Sequence, residues 1–572
     1  MTKRQSHSTT GDYPRSFVAA DAVFDTWQTA EPYYRDLAER TVDTPEQFER
    51  FLRDFSEVDA VFNEECTRRR IETTQQTDDP QRQQRFADFM QNVYPHREPW
   101  HDRLRRKIVD CAARLSLPAR RYEVMLRSMR NAIALYRDEN VPLEVEDAQL
   151  KQRYQEIVGT MSVTYQGREL TLEQLARFQE EPDRRLREET HLLGAECFAS
   201  QRQQLDEIYD RMVKLRHRMA RNADCRDFRE YIFKAMERFD YSAEDCLAFH
   251  EAIEKVACPA AAELARRRRE KLGVESLRPW DLAVDPDNRP PLRPFETVDE
   301  LIAGCRQIFG RVDSELGVVF DRLHQRGLLD LESRPGKAPG GYQAVLDERR
   351  EPFIFMNAVG TEGDVRTLLH EGGHAFHSWS CRDEPLLIYR EPPIEFAEVA
   401  SMGMELLSVP HLEVFYADQT ARSVKRFLEG IVRFFPYMAC VDAQQHWVYT
   451  HPEATPEQRH EHWAALRRRF MPEVDYSGLE DIERQSWQRK LHFYEAPFYY
   501  VEYGIAQLGA LQVWLNSRAD YHRAVRLYRQ ALALGGSRPL PELFDTAGLR
   551  FDFSEQTLRP LIDALMAEID RL

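Results

Sequence analysis

The chain has 572 residues, of which 42% are hydrophobic and 31% charged, and its formal net charge is −17 at pH 7. This length and composition predict a folded protein of more than one lobe or domain. The negative charge argues against nucleic acid and anionic membranes as partners, and no apolar run approaches the length of a membrane span.

The polar segment Met1–Asp12 contains no apolar stretch of signal-peptide length, so we expect a cytoplasmic protein. Nine cysteines are scattered singly without C-x-x-C spacing. This pattern is typical of reduced thiols in a reducing compartment.

Residues 44–272 show helical periodicity with few turn signals, which predicts a helical lobe. Two breaks, at residues 95–99 and 286–294, contain prolines. A third break, Met161–Leu170, predicts a short hairpin around a Gln166-Gly167 turn, followed by a capped helix. Strand patterns recur only around Tyr342–Asn357, and the chain after Glu405 is again predicted to be helical.

The pentapeptide His370-Glu371-Gly372-Gly373-His374 has the H-E-x-x-H pattern of zinc peptidases. In a helix, residues i and i+4 share a face, so both imidazoles can converge on one ion with Glu371 at its side. Two adjacent glycines in a helix cost about 1 kcal/mol each relative to alanine, which indicates that something approaches the backbone closely. Because so short a pattern also arises by chance, a third ligand is needed to support it.

Candidates for that third ligand lie downstream, since catalytic zinc usually has three protein ligands. His377 lies about 10 Å along the helix from His370, which favours a supporting position or a place in the cleft wall. Ser380 stands where a metzincin has histidine, so that class is excluded. The segment Pro392–Glu405 predicts a largely apolar helix that is either amphipathic with a water-facing acidic edge or a ligand-bearing element, and one of its stripes carries Glu398, Ser401, Met402 and Glu405.

The segment His492–Gly504 is rich in aromatic residues and includes Tyr499, Tyr500 and Tyr503. Composition alone is typical of a buried aromatic layer. A histidine and a phenol are also suitable donors to an oxyanion that develops on the side away from the metal.

Together these blocks resemble the thimet oligopeptidase and oligoendopeptidase F family of zinc metallopeptidases, and its oligoendopeptidase F branch in particular. The segments Pro335–Tyr342 and Pro352–Asn357 are also similar to the family's glycine-rich turn and active-site edge strand. The resemblance implies that Glu398 is the third zinc ligand, with Glu395 as the next candidate. It also implies a second acidic position at Glu405, which would fix the tautomer of a zinc histidine.

The same resemblance implies that His492 and the three tyrosines, Tyr499, Tyr500 and Tyr503, bind substrate and assist catalysis. His492 and Tyr503 are the donors that we favour for the oxyanion. The tyrosine register differs between branches of the family, so which of the three tyrosines points at the substrate stays open.

The fold implied by the resemblance is mostly α, with two helical lobes, a deep central cleft and a small β-sheet beside the zinc helix. We expect an N-terminal helical lobe over residues 1–195 and a catalytic zinc-peptidase domain over residues 196–572. One Zn²⁺ per chain, with Glu371 as general base, would hydrolyse internal bonds of short unfolded peptides. Residues 353–356 are expected to form an exposed strand to which the peptide adds, which predicts broad specificity.

Two other functions remain open. A carboxypeptidase or dipeptidyl carboxypeptidase of similar fold would need a group that holds the free carboxylate at a set distance from the metal. A peptide- or zinc-binding protein without turnover is the second, although a pure binding site has no need of Glu371.

Overall fold

The computed structural model describes residues 13–572, so the expectation for Met1–Asp12 lies outside the described residues. The protein is 71% helical with two small sheets, which confirms the predicted mostly α fold. Across the described chain, no helix combines the length and apolarity needed to cross a lipid bilayer. None of the nine cysteines, all of which lie within the described residues, forms a disulfide bond.

The helices of the first half are, in chain order, α1 (Trp27–Glu39), α2 (Pro45–Gln75), α3 (Pro80–Asn92), α4 (Arg97–Arg114), α5 (Ala119–Leu135), α6 (Val141–Gly159), α7 (Leu172–Ala176), α8 (Arg184–Ser200), α9 (Arg202–Asn222), α10 (Phe228–Ala235), α11 (Ala243–Leu272), α12 (Val298–Val312) and α13 (Ser314–Gln325). Those of the second half are α14 (Glu362–Ser380), α15 (Leu387–Arg390), α16 (Ile394–Leu407), α17 (Glu413–Tyr416), α18 (Thr420–Thr450), α19 (Pro456–Phe470), α20 (Glu480–Gln485), α21 (His492–Glu495), α22 (Tyr500–Ala519), α23 (Tyr521–Leu532), α24 (Leu540–Thr546) and α25 (Glu555–Arg571). The strands are β1 (Ser162–Tyr165), β2 (Arg168–Thr171), β3 (Leu329–Glu332), β4 (Tyr342–Leu346) and β5 (Glu351–Ala358).

The predicted hairpin is confirmed. Strands β1 and β2 pair antiparallel from Ser162 opposite Thr171 to Tyr165 opposite Arg168. Gln166 and Gly167 both adopt positive φ, of 50° and 74°, as a tight two-residue hairpin turn requires. Thr171 then caps α7, because its hydroxyl accepts from the Gln174 backbone N–H while the Gln174 side chain accepts from the Thr171 N–H.

The second sheet has the order β3-β5-β4, with β3 parallel and β4 antiparallel to β5. Strand β5 is therefore central, and Phe353–Met356 is at most 5% exposed. The expectation that this segment is an exposed strand open to a peptide was wrong, because both of its edges are occupied by neighbouring strands. Sequence reasoning missed β3, and the two edges of this sheet are β3 and β4.

The chain divides into two compact units, each assembled from separated segments. The first contains the described residues up to Ile133, Arg293–Thr420 and Gly509–Phe551. Its N-terminal helices enclose an apolar core around Phe48, Phe62 and Leu104. The second contains Ala134–Leu292, Ala421–Leu508 and Asp552–Leu572. The expected domains, residues 1–195 and 196–572, stay a prediction.

Candidate metal centre and aromatic site

The H-E-x-x-H segment lies in α14, as predicted, and this helix begins with a strong local signal. Thr361 is its N-cap: the Thr361 hydroxyl accepts from the Asp364 N–H, and the Asp364 carboxylate accepts from the Thr361 N–H at 2.7 Å. The Asp364 carboxylate also accepts from the Val359 N–H at 2.9 Å, which joins the helix to the end of β5. The start of α14 is thus fixed relative to the sheet.

Helix α14 packs closely on α16 through Gly373 and on α12 through Gly372. A Cβ on Gly373 would lie 2.5 Å from the Ala400 carbonyl oxygen and 2.6 Å from the Ser401 Cα, so the two backbones nearly touch there. A Cβ on Gly372 would lie 2.5 Å from the Phe309 ring of α12. The sequence prediction that something approaches these glycines closely is confirmed, and the approaching groups are a helix backbone and a phenyl ring.

The contact between α14 and α16 brings together the three predicted metal ligands. His370 Nε2 lies 3.3 Å and His374 Nε2 lies 3.6 Å from Glu398 Oε2. Zinc bonds of about 2.0–2.1 Å at tetrahedral angles separate neighbouring ligand atoms by about 3.3 Å, so these spacings suit one ion among the three residues. The donor set of two imidazoles and one carboxylate also suits zinc.

Further hydrogen bonds orient each of these ligand residues. His370 Nδ1 donates to Glu405 Oε1 at 2.8 Å, so Nε2, which faces Glu398, is the nitrogen that would bind a metal in place of a proton. The Ser401 hydroxyl donates to Glu398 Oε2 at 2.8 Å. The His374 ring bonds to the Ala397 backbone. All of these supporting groups belong to α16.

The carboxylates at this site favour a cation between α14 and α16. Burial lowers the pKa of His370, but hydrogen bonds with Glu398 and Glu405 more than reverse that effect and hold the pKa well above its usual value. Burial would raise the pKa of Glu398, but the His370 hydrogen bond and the charge of His374 bring it to about 2. The carboxylates therefore stabilise positive charge at the position that a metal ion would take.

Glu371 lies on the same helix and is only 8% exposed. Burial raises its pKa to about 7, with a smaller opposing effect from the His370 charge. Its carboxylate accepts a hydrogen bond from the Gln343 backbone of the edge strand β4. A carboxyl group held in this state can take and return a proton near neutral pH.

His377 is 2% exposed and packs against the Phe396 ring, 6.0 Å between centroids. Neither of its ring nitrogens has a hydrogen-bond partner among the described residues. Burial lowers its pKa to about 3, so the ring is neutral. It is not one of the three converging residues, and its predicted supporting role stays a prediction.

The predicted histidine and tyrosines form a separate cluster in the second unit. The His492 ring lies 4.9 Å from Tyr500, 5.9 Å from Tyr503 and 6.2 Å from Tyr499, measured between centroids. Tyr500 is buried, whereas the other three rings are partly exposed. Burial, together with the charge of Lys490, lowers the pKa of His492 to about 4, so a neutral imidazole can donate from one nitrogen.

Two buried arginines fix the backbone around this cluster. Arg216 forms an ion pair with Asp147 at 2.8 Å and donates to the carbonyl oxygens of Phe493 and Tyr494. Arg238 donates to the carbonyl oxygen of Phe498, a non-glycine residue held at a φ of 65°. The unusual turn before α22 is therefore stabilised by a charged donor.

Several positioning residues were not identified from the sequence. Two of them, Gln343 and Ala397, act through backbone groups, and Ser401 acts through its hydroxyl. These contacts form only when the helices and strands pack together. Tyr528 donates to the Ala400 carbonyl oxygen at 2.6 Å and so supports α16 from a distant part of the chain. Only Ser401 carried a signal, since it shares the stripe of Glu398.

The fold and the site define a peptidase family. Residues 177–561 match the model of peptidase family M3, which is more than half of the chain, and the protein therefore belongs to that family. The family resemblance seen in the sequence is confirmed.

Particular relatives point to the oligoendopeptidase F group. The chain is 24% identical over 298 residues to an oligoendopeptidase F homolog of Mycoplasma pneumoniae, which covers 49% of this chain and 48% of the relative. It thus spans about half the length of such curated relatives. Among solved structures, it is similar to PZ peptidase A, with a TM-score of 0.88, 29% identity and coverage of 95% of this chain and 97% of the other. A Bacillus anthracis structure assigned as oligoendopeptidase F has a TM-score of 0.83, 26% identity and 98% coverage of both chains.

Proposed function

We propose that this protein is a zinc-dependent oligoendopeptidase that hydrolyses internal bonds of short unfolded peptides. The observation that carries the proposal is the convergence of His370, His374 and Glu398 beside a buried Glu371, in a chain that belongs to family M3. The three ligand atoms all lie within 4.8 Å of one another. One ion per chain would be held there.

The bound Zn²⁺ would supply a Lewis acid that polarises the scissile carbonyl and lowers the pKa of a nearby water toward neutrality. Glu371 would take a proton from the attacking water on its carboxylate and pass it to the leaving amine. Glu405 keeps the proton of His370 on Nδ1, so that Nε2 is free to act as a ligand. His492 and Tyr503 would donate hydrogen bonds to the developing oxyanion.

Oligopeptides are the proposed substrates, and a cytoplasmic location is part of the same proposal. Because β4 lies at a sheet edge and its Gln343 backbone contacts Glu371, an extended peptide would pair with β4 close to the catalytic carboxylate. Binding through backbone groups explains the expected tolerance of different peptide sequences.

The experiment is digestion of a mixed peptide library, read by mass spectrometry, with and without a chelator. Peptides blocked at both ends should be cut internally, cleavage should stop with the chelator, and added Zn²⁺ should restore it. Cleavage restricted to peptides with a free C-terminus would replace the endopeptidase proposal by a carboxypeptidase.

Glu371→Gln separates catalysis from binding. It should retain zinc and peptide binding but lose several orders of magnitude in kcat, because an amide does not accept the proton. Glu362→Gln is the matched control, since this acid lies on the same helix and is also buried. A Glu371→Gln protein within about tenfold of the parent would remove this residue from the role of base and favour a binding protein instead.

A further inference from the structure

A second cluster of buried side chains of the types that can bind metals lies in the second unit, between α11 and α18. It consists of Cys246 and His250 on α11 and of Asp442 and His446 on α18, and each is at most 3% exposed. Both pairs have i, i+4 spacing, which places their side chains on one helix face. The histidine pair of α14 has the same spacing.

Ligand atoms of Cys246, Asp442 and His446 all lie within 4.8 Å of one another. His446 Nε2 is 3.2 Å from Asp442 Oδ2, close to the 3.3 Å between His370 Nε2 and Glu398 Oε2. This separation matches two ligands of one zinc ion.

Two atoms of this cluster lack hydrogen-bond partners. Asp442 Oδ1 and His446 Nε2 are fully enclosed and form no hydrogen bond of good geometry among the described residues, and the contact of His446 Nε2 with Asp442 Oδ2 is 3.2 Å long. Buried polar atoms are normally satisfied, and unsatisfied ones are costly. A cation between these atoms and the Cys246 sulfur would satisfy both.

We propose that Cys246, Asp442 and His446 bind a zinc ion that ties α11 to α18. His250 Nε2 donates to Asp442 Oδ2 at 2.8 Å and would orient the carboxylate, as Glu405 orients His370. Thiolate, imidazole and carboxylate are all ligands that suit zinc. On binding, the Cys246 thiol loses its proton to solvent and its sulfur forms the bond to the metal. The proposal does not depend on the peptidase activity.

The side chain of Arg229 opposes metal binding by His446. Its Nη1 lies 3.4 Å from His446 Nδ1, and a guanidinium only donates, so this contact needs a lone pair on Nδ1. A neutral imidazole that gives the Nε2 lone pair to a metal carries its proton on Nδ1. Metal binding therefore requires the partly exposed Arg229 to move away.

The test is titration of metal-depleted full-length protein with Co²⁺, followed by near-ultraviolet absorption. A thiolate bound to cobalt gives a charge-transfer band there, and the His370, His374 and Glu398 centre contains no sulfur. The parent should show this band and retain a second equivalent of cobalt. The Cys246→Ser variant should lose the absorption band and the second equivalent of cobalt. The Cys258→Ser variant, which changes a cysteine on the same helix, should keep both features.

The competing explanation is a buried histidine–aspartate–histidine network without metal. It predicts no thiolate band and a single equivalent of cobalt in the parent, and that result overturns the proposal even if Cys246→Ser fails to fold. Arg229→Gln should tighten cobalt binding several-fold, because the amide oxygen accepts from Nδ1–H. Weaker binding in this variant would overturn the assignment of Nε2 as the ligand atom.

Discussion

Substitution of Gly373 by alanine tests whether the close approach of α14 and α16 builds the metal centre. The new Cβ would lie 2.5 Å from the Ala400 carbonyl oxygen and 2.6 Å from the Ser401 Cα. Ordinary contacts of this kind need about 3.5 Å, so the helices must separate by about 1 Å. Both opposing atoms are backbone, and a side-chain rotation does not relieve the clash.

The expected change in the free energy of unfolding of the Gly373→Ala protein is the sum of two opposing effects. Overpacking costs about 1–3 kcal/mol, and replacing a helical glycine by alanine returns about 1 kcal/mol, so we expect a net loss of up to about 2 kcal/mol. The effect on function should be larger. Glu398 lies on the displaced helix, and a misplacement of about 1 Å at a catalytic site lowers the rate by about a hundredfold.

The assay compares zinc content, melting temperature and kcat/KM with those of Gly363→Ala. Gly363 lies at the exposed start of the same helix, where a Cβ meets only the Thr361 hydroxyl at 3.5 Å. This control should match the parent or be slightly more stable. A Gly373→Ala protein with parental zinc affinity and kcat/KM would refute the argument that this contact sets the ligand geometry.

Three further predictions concern residues of the metal centre on α14 and α16 and of the aromatic cluster around His492. Glu405→Ala should lower zinc affinity about 10–100-fold, measured by competition with a chelator, because His370 loses its orienting acceptor; unchanged affinity contradicts that role. Tyr503→Phe should lower kcat by about ten- to a thousandfold with little change in KM. A normal kcat and a lower melting temperature in all three variants, Tyr503→Phe, Tyr500→Phe and Tyr499→Phe, would indicate a purely structural aromatic layer. Burial lowers the pKa of His492 from 6.5 to about 4, so the unfolded chain binds this proton first and stability falls as the pH drops from 6.5 to 4. His492→Asn should flatten the pH dependence of the melting temperature in that range, and equal slopes in variant and parent would disprove it.

Local signals predicted much of the secondary structure. The Gln166-Gly167 turn predicted the hairpin because glycine adopts positive φ at no steric cost. The proline pair before Ile394 predicted the start of α16. Strand β3 was missed because its alternation of apolar and polar residues, Leu-Asp-Leu-Glu, extends over only four residues and is too short to predict a strand alone. Strand β5 was wrongly predicted to be exposed, because a short apolar run does not show whether a strand lies at the centre or at the edge of a sheet.

The sequence by itself determined that His370 and His374 share one helix face with Glu371 beside them, because helical periodicity fixes the relation between residues four apart. Only the tertiary structure decided that Glu398 meets both imidazoles, since this depends on the close contact of α14 with α16 at Gly373. The cluster of Cys246, Asp442 and His446 is also invisible in sequence, because its two halves are separated by almost 200 residues and meet only when α11 packs near α18. Local spacing is encoded residue by residue, whereas distant convergence depends on the packing of whole elements.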